Sequence, residues 1–190
     1  MLTKKELREN IRSRLKKMSA EEYLQKSRQI HQQLFATQDW RVAKTVGVTV
    51  SIFPEVDTYG IIEAGWQSGK QIAVPKCFAK TRTMRFFRLT HFNQLEKGYF
   101  GLLEPKLDLT EEIKKEAIDL LIVPGVAFTR NGGRLGLGGG YYDRFLTDFS
   151  GRTVSLCFSE QLVEHLPLEP HDRPIQQIIT ETEIFTRHDF

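Results

Sequence analysis

The sequence predicts an α/β fold, a three-layer sandwich with a central, mostly parallel, Rossmann-like sheet preceded by an N-terminal helical hairpin. Three observations predict it. Apolar residues recur at helical spacing over the first 35 positions, β-branched runs alternate with helix signals from residue 45 onward, and the most apolar run leads directly into a glycine-rich segment. Ligands of open α/β sheets bind beyond the carboxyl ends of strands, so that segment marks where a site is expected.

The first helix is announced by Thr3-Lys4-Lys5-Glu6, a capping box in which hydroxyl and carboxylate satisfy the first orphan N–H groups. Leu7, Ile11 and Leu15 then mark a buried stripe. Ser19-Ala20-Glu21-Glu22 reads as a second capping box, opening a helix with Tyr23, Leu24, Ile30, Leu34 and Phe35 as its apolar contacts. Thr45–Phe53 reads as a strand ending at Pro54, and Asp57 as the cap of a helix through Ile61, Ile62 and Trp66 that stops near Gly69. Gln71–Cys77 and Met84–Leu89 are short strands. Leu120–Phe128 is expected at the centre of the sheet, followed by the glycine loop, a helix over Tyr141–Phe149, a strand at Thr153–Phe158 and a last strand at Gln177–Ile184.

At 190 residues, with 40% hydrophobic and 27% charged content, the chain suits one globular domain spanning 1–190. It has no repeat, low-complexity tract or linker. No apolar run has the length of a membrane span, and the opening residues lack the apolar core of a signal peptide, so no membrane partner is expected. Cys77 and Cys157 lie far apart in apolar runs and read as reduced core residues, which fits a cytoplasmic protein. A monomer is expected. The net charge of +3 gives little support to a nucleic-acid role. Its distribution is uneven: the first 17 residues hold Lys4, Lys5, Arg8, Arg12, Arg14, Lys16 and Lys17 against Glu6 and Glu9. Such a cluster either attracts an anion or forms a solvated helix face.

The segment richest in chemistry is Arg134-Leu135-Gly136-Leu137-Gly138-Gly139-Gly140-Tyr141-Tyr142-Asp143. Its glycines free backbone N–H groups to approach an anion, and a helix beginning near Gly140 adds its positive end. Arg134 offers a fork for phosphate oxygens, and Asp143 can hold a divalent cation that bridges them. The loop lacks the Lys-Ser/Thr pair of a Walker A motif, and Tyr141 stands where a dinucleotide fingerprint has its third glycine. A plain tight turn is the competing reading, and the flanking Arg, Tyr pair and Asp favour the phosphate cradle.

Val123-Pro124-Gly125-Val126-Ala127-Phe128, followed by Arg134-Leu135-Gly136-x-Gly138-x-Gly140-Tyr141-Tyr142-Asp143, resembles the signature of the 5-formyltetrahydrofolate cyclo-ligases, or methenyltetrahydrofolate synthetases. The resemblance covers nearly the whole chain, from Lys4-Lys5-Glu6-Leu7-Arg8 through Glu55 and Phe100–Pro105 to His171-Asp172. It implies an ATP- and Mg²⁺-dependent closure of 5-formyltetrahydrofolate to 5,10-methenyltetrahydrofolate with release of ADP and phosphate. ATP phosphorylates the formyl oxygen, N10 attacks the activated carbon, and phosphate leaves. Phosphorylation turns a poor leaving group into a good one, which leaves the protein chiefly positioning and charge neutralisation.

Carried over by position, the resemblance implies that Lys4, Lys5 and Arg8 contact ATP phosphates; Lys4 and Arg8 also share one helix face. It implies that Arg134, Gly136, Gly138, Gly139, Gly140, Tyr141 and Tyr142 hold the nucleotide, with Arg134 and Tyr141 nearest the chemistry. Leu137 and Tyr141 would also face the folate. Val50, Glu55 and Phe100 would line the folate pocket, and Asp143 and Asp172 would bind Mg²⁺. On the residues alone, Glu55 reads as a solvated loop carboxylate, Asp172 as part of a polar turn and Phe100 equally as a core residue. Some members carry basic residues in the loop where this chain has Leu137 and Gly139, which removes positive charge near the phosphates or the glutamate tail. Two other readings compete: an isomerase-like or CoA-transferase-like α/β enzyme using the same cradle without ATP, and a noncatalytic nucleotide- or RNA-binding module.

Overall fold

The structure is a computed structural model that describes residues 1–98 and 101–188. Helix α1 (Lys4–Lys16) begins with the expected capping box: Glu6 N donates to Thr3 Oγ1 at 3.2 Å, and Thr3 N to Glu6 Oε2 at 2.8 Å. Its stripe of Leu7, Ile11 and Leu15 is buried. Helix α2 (Ala20–Phe35) has only half of its box. Glu22 N reaches Ser19 Oγ at 3.1 Å, but the Glu22 carboxylate turns to Lys26, 3.0 Å away. Ile30 and Leu34 are buried as predicted, whereas Leu24 faces solvent. Two polar residues, Ser27 and His31, are buried in its place. A five-residue helix, α3 (Gln38–Val42), buries Trp40 and was not foreseen.

The sheet is built from β1 (Thr45–Gly47), β2 (Gln71–Phe78), β3 (Thr83–Leu89), β6 (Glu112–Ile113), β7 (Leu120–Ile122), β10 (Arg152–Leu156), β11 (Gln177–Ile179) and β12 (Ile184–Thr186). Helix α4 (Tyr59–Gln67) links β1 to β2. Two small ribbons pair β4 (Leu95–Lys97) with β5 (Leu103–Pro105), and β8 (Ala127–Phe128) with β9 (Arg134–Leu135). Helix α5 (Tyr141–Leu146) precedes β10. Spatial order is β12-β11-β10-β7-β1-β2-β3-β6. The central pairings β2-β1, β1-β7, β7-β10 and β10-β11 are parallel, and antiparallel strands flank them.

Along β7 and into the following residue, side chains alternate between two cores. Leu120 and Ile122 join Ile11, Ile30, Leu34 and Ile61 on one face. Leu121 and Val123 join Phe86, Phe128 and Phe145 on the other. This period of two, with helices over both faces, is the three-layer arrangement. No helix among the described residues is long and apolar enough to cross a membrane.

Five expected elements differ, three of them for a local reason. The strand expected over Thr45–Phe53 ends at Gly47. Beyond it Ser51 and Thr58 exchange N–H-to-hydroxyl bonds of 2.9 Å each, and Thr58 Oγ1 donates to Thr49 O at 2.6 Å, so the loop closes on itself. The run Leu120–Phe128 breaks at Pro124, which has no N–H to give a ladder, and its end pairs with β9. Gln177–Ile184 is a hairpin, because Thr180 Oγ1 accepts from Glu183 N at 2.9 Å and Thr182 N at 3.2 Å and turns the chain. The helix expected to Phe149 ends at Leu146, and the strand expected at Thr153–Phe158 occupies 152–156.

Candidate functional site

From β1 the chain proceeds to β2 on one side, and from β7 to β10 on the other. The loops that leave these neighbouring strands, 48–58 and 123–126, therefore diverge and open a crevice at their carboxyl ends. A cavity of about 30 Å³ lies between them, lined by Thr49, Glu55, Val56, Pro124, Gly125 and Gln161 among others.

The glycine loop begins at β9 and ends at α5. Gly138 has φ +115° and Gly140, which caps α5, has φ +71°, conformations that disfavour a Cβ. Gly136 serves packing instead, since a Cβ there would lie 2.7 Å from Arg134 Nη1. Helix α1 lies against this loop: Arg8 Nε donates to Gly136 O at 2.8 Å, and the Arg8 guanidinium carbon is 3.7 Å from where a Gly138 Cβ would stand. One turn earlier, Lys4 Nζ is 3.4 Å from Asp172 Oδ2 and 3.6 Å from Glu169. Lys5 is exposed, about 100° around the helix from Lys4. Arg144, which the sequence did not suggest, straps the loop from the other end, donating to Gly139 O at 2.8 Å and Arg82 O at 3.0 Å with its charge 5.2 Å from the Tyr141 ring centre.

Arg134 is buried at 6% exposure, so its fork is committed inward: Nη1 donates to Pro124 O at 3.0 Å and Nη2 to Asp143 Oδ1 at 3.3 Å. Its Nε is buried without a hydrogen-bond partner. Burial lowers its pKa, and the Asp143 carboxylate opposes that effect. Asp143 Oδ1 also accepts from Arg173 N at 3.1 Å, which brings Asp143 beside the turn that carries Asp172. Asp172 Oδ2 accepts from Glu169 N at 2.7 Å, and its other oxygen is 3.5 Å from His171 Nε2. Glu169, His171 and Asp172 offer ligand atoms within 4.8 Å of one another. The carboxylates of Glu169 and Asp172, with Asp143 beside their turn, are oxygen donors that suit a hard divalent cation and so fit Mg²⁺; His171 would offer a nitrogen. Tyr142 is half-buried by area, yet its hydroxyl is wholly covered and unpartnered, and burial pushes the phenol far above its ordinary pKa. Burial likewise pushes the Cys77 thiol up to about 11, which keeps it protonated.

At the cavity shared with Pro124 and Gly125, Glu55 Oε1 accepts from Ile52 N at 3.2 Å. Burial raises the Glu55 pKa; the Ile52 N–H and the positive charge of Arg12 oppose that. Glu55 is half-buried and lines the cavity beside Thr49 and Val56. Arg12 extends the Lys4–Arg8 row by one more turn, a signal available in the i, i+4, i+8 spacing. Val50 is buried within the core, Leu137 is exposed on the glycine loop, and Phe100 lies outside the described residues.

Residues 1–181 match the 5-formyltetrahydrofolate cyclo-ligase family. The chain is 30% identical over 189 residues to a 5-formyltetrahydrofolate cyclo-ligase of Mus musculus, covering 94% of this chain and 93% of that protein. It is 31% identical over 179 residues to one of Escherichia coli K12, covering 92% and 98% respectively. The NMR structure of Aquifex aeolicus 5,10-methenyltetrahydrofolate synthetase superposes with a TM-score of 0.87 at 30% identity, covering 100% of this chain and 95% of that one. The fold, the glycine loop between β9 and α5 and these likenesses agree, and the chain belongs to the 5-formyltetrahydrofolate cyclo-ligase family.

Proposed function

We propose that this chain, acting as one domain, closes 5-formyltetrahydrofolate to 5,10-methenyltetrahydrofolate at the expense of ATP, with Mg²⁺ bound by Asp143 and Asp172. The observation that carries the reading is the convergence of α1 on the glycine loop, with Arg8 on Gly136 O and Lys4 beside Asp172. Two cations, a glycine loop and two carboxylates are thereby linked by direct contacts, and in this reading they form the set a triphosphate and its metal require.

In this reading Lys4, Lys5 and Arg8 neutralise the phosphates. Gly136, Gly138, Gly139 and Gly140 present backbone to them, while Tyr141 and Tyr142 wall the nucleotide side. Bound Mg²⁺ would supply charge neutralisation between phosphate oxygens. Arg134 works from beneath, holding Asp143 through its fork. Glu55 orients the pterin ring, with Val50, Leu137 and Phe100 completing the folate side. The formyl oxygen attacks the γ-phosphorus as the bond to ADP breaks. N10 then adds to the formyl carbon and loses its proton, the C–O bond breaks, and phosphate departs carrying the former formyl oxygen. Each step depends on placing reactants and spreading charge more than on a protein nucleophile.

The test is spectrophotometric. The chain incubated with 5-formyltetrahydrofolate, Mg²⁺ and ATP should develop methenyl absorbance, and omission of ATP should abolish it. Turnover without ATP would favour an isomerase-like use of the loop, and no turnover with all three present would overturn the reading.

A further inference from the structure

We propose that the inward stripe of α2 formed by Tyr23, Ser27 and His31 is a positioning device for Glu55, and through it sets affinity for the folate ring. The proposal rests on the reading of Glu55 as the ring-binding carboxylate. The three side chains recur at i, i+4 and i+8 and therefore lie along one helix face. Each meets the backbone of the Glu55 loop: the Tyr23 hydroxyl donates to Glu55 O at 2.7 Å, Asp57 N donates to Ser27 Oγ at 3.2 Å, and His31 Nε2 lies 2.6 Å from Asp57 O. A carbonyl only accepts, so Nε2 carries the proton in that contact.

The loop needs such help because it has left the sheet. Its first half closes on itself through Ser51 and Thr58, and Glu55 N turns back to Ile52 O at 2.9 Å. The outward carbonyl of Glu55 and both polar groups of Asp57 are met by α2. Ser27 is 1% exposed and His31 8%, so these bonds are shielded from water. The Tyr23 ring also packs edge-on against Phe53 with centroids 5.1 Å apart, gripping the loop on its apolar side. Asp57 Oδ2 in turn accepts from Gly60 N at 3.2 Å at the start of α4, which anchors the far end. Two helices thereby fix the backbone from which the Glu55 side chain projects into the crevice. A polar stripe spent on backbone groups leaves the carboxylate itself unencumbered apart from the Ile52 N–H.

The experiment uses the full chain with Tyr23→Phe, Ser27→Ala, Glu55→Gln and the double variant Tyr23→Phe/Glu55→Gln. KM for 5-formyltetrahydrofolate, KM for ATP, kcat and Tm are measured for each. Tyr23→Phe keeps the ring against Phe53 and removes one hydrogen bond, so the folate KM should rise about three- to tenfold while the ATP KM holds. Ser27→Ala should act in the same direction. In the Glu55→Gln background, Tyr23→Phe should add nothing further. A rise in both KM values alongside a lower Tm would show general loosening and overturn the proposal. So would effects of Tyr23→Phe and Glu55→Gln that multiply, and in that case the reading of Glu55 stands. If Glu55→Gln alone leaves the folate KM unchanged, that reading fails and takes this proposal with it.

Discussion

The glycine loop and the Glu55 loop, the two sides of the proposed site, are held by different forces. The glycine-loop wall is strapped by charged side chains: Arg8 on Gly136 O, Arg144 on Gly139 O and Arg134 beneath Asp143. The Glu55 wall is held chiefly by hydroxyls, namely those of Tyr23, Ser27, Ser51 and Thr58, with a His31–carbonyl contact beside them. On the proposed reading, the straps from Arg8 and Arg144 can be re-aimed when an anion arrives, while Arg134 stays buried beneath. Neutral bonds to a buried backbone have no such alternative partner, so that wall is set before substrate binds. The difference teaches that one side of the cleft answers to ionic conditions and the other to packing.

The largest effect is expected at Arg134, where the charged wall goes underground. Arg134→Ala strands Asp143 and empties a buried volume, and should cost about 3–5 kcal/mol of stability while lowering kcat/KM for ATP. Arg134→Lys keeps charge but not both bonds of the fork and should fall between. Denaturant midpoints with ATP kinetics measure this; a stable Arg134→Ala with ordinary kinetics would remove the buried pair from the comparison. Next is Gly138→Ala, which forces a side chain onto φ +115°. A local strain of about 1–3 kcal/mol should appear mainly as weaker ATP binding, read by calorimetry. An unchanged ATP affinity would show that the loop adapts without that conformation.

Smaller still, Lys4→Ala and Arg8→Ala should each raise the ATP KM about three- to tenfold, with the difference from the unsubstituted chain shrinking as salt is added. A salt-independent difference would mean these cations act by packing. The smallest is at Glu55 and carries a sign. Burial holds its folded pKa above the unfolded value, so the folded state binds the proton more tightly. Stability therefore falls as pH rises from the ordinary glutamate range through the raised folded value, and the penalty is fully present above it. Glu55→Gln should raise Tm slightly at neutral pH and lose that advantage in acid, even as folate affinity drops. Thermal melts across pH decide it, and a Tm difference independent of pH would place Glu55 in water.

What could be read from the sequence follows the same division. The capping box of α1, the Lys4–Arg8 spacing and the glycine loop are local patterns, and the architecture they foretold is the one observed. Charge alone leaves the basic face of α1 open between an anion site and a solvated surface; the family resemblance pairs it with the loop, and Arg8 meets Gly136 across 128 positions. The Glu55 wall was opaque because its supports come from a distant helix. In the sequence Tyr23 reads as apolar packing, His31 only as a histidine without metal-binding spacing, and Ser27 carries no pattern, since a hydroxyl and an imidazole gain meaning only beside the backbone they meet. Strand limits failed where side chains satisfied the backbone, at Ser51–Thr58 and at Thr180, which periodicity does not register. Arg144 was passed over because its target, Gly139 O, is a carbonyl any residue could have supplied.

The sheet closes on one side with the two residues of β6 and on the other with the three of β12. Rows so short give a foreign strand little to template on, which protects a sheet of eight strands from edge-to-edge aggregation.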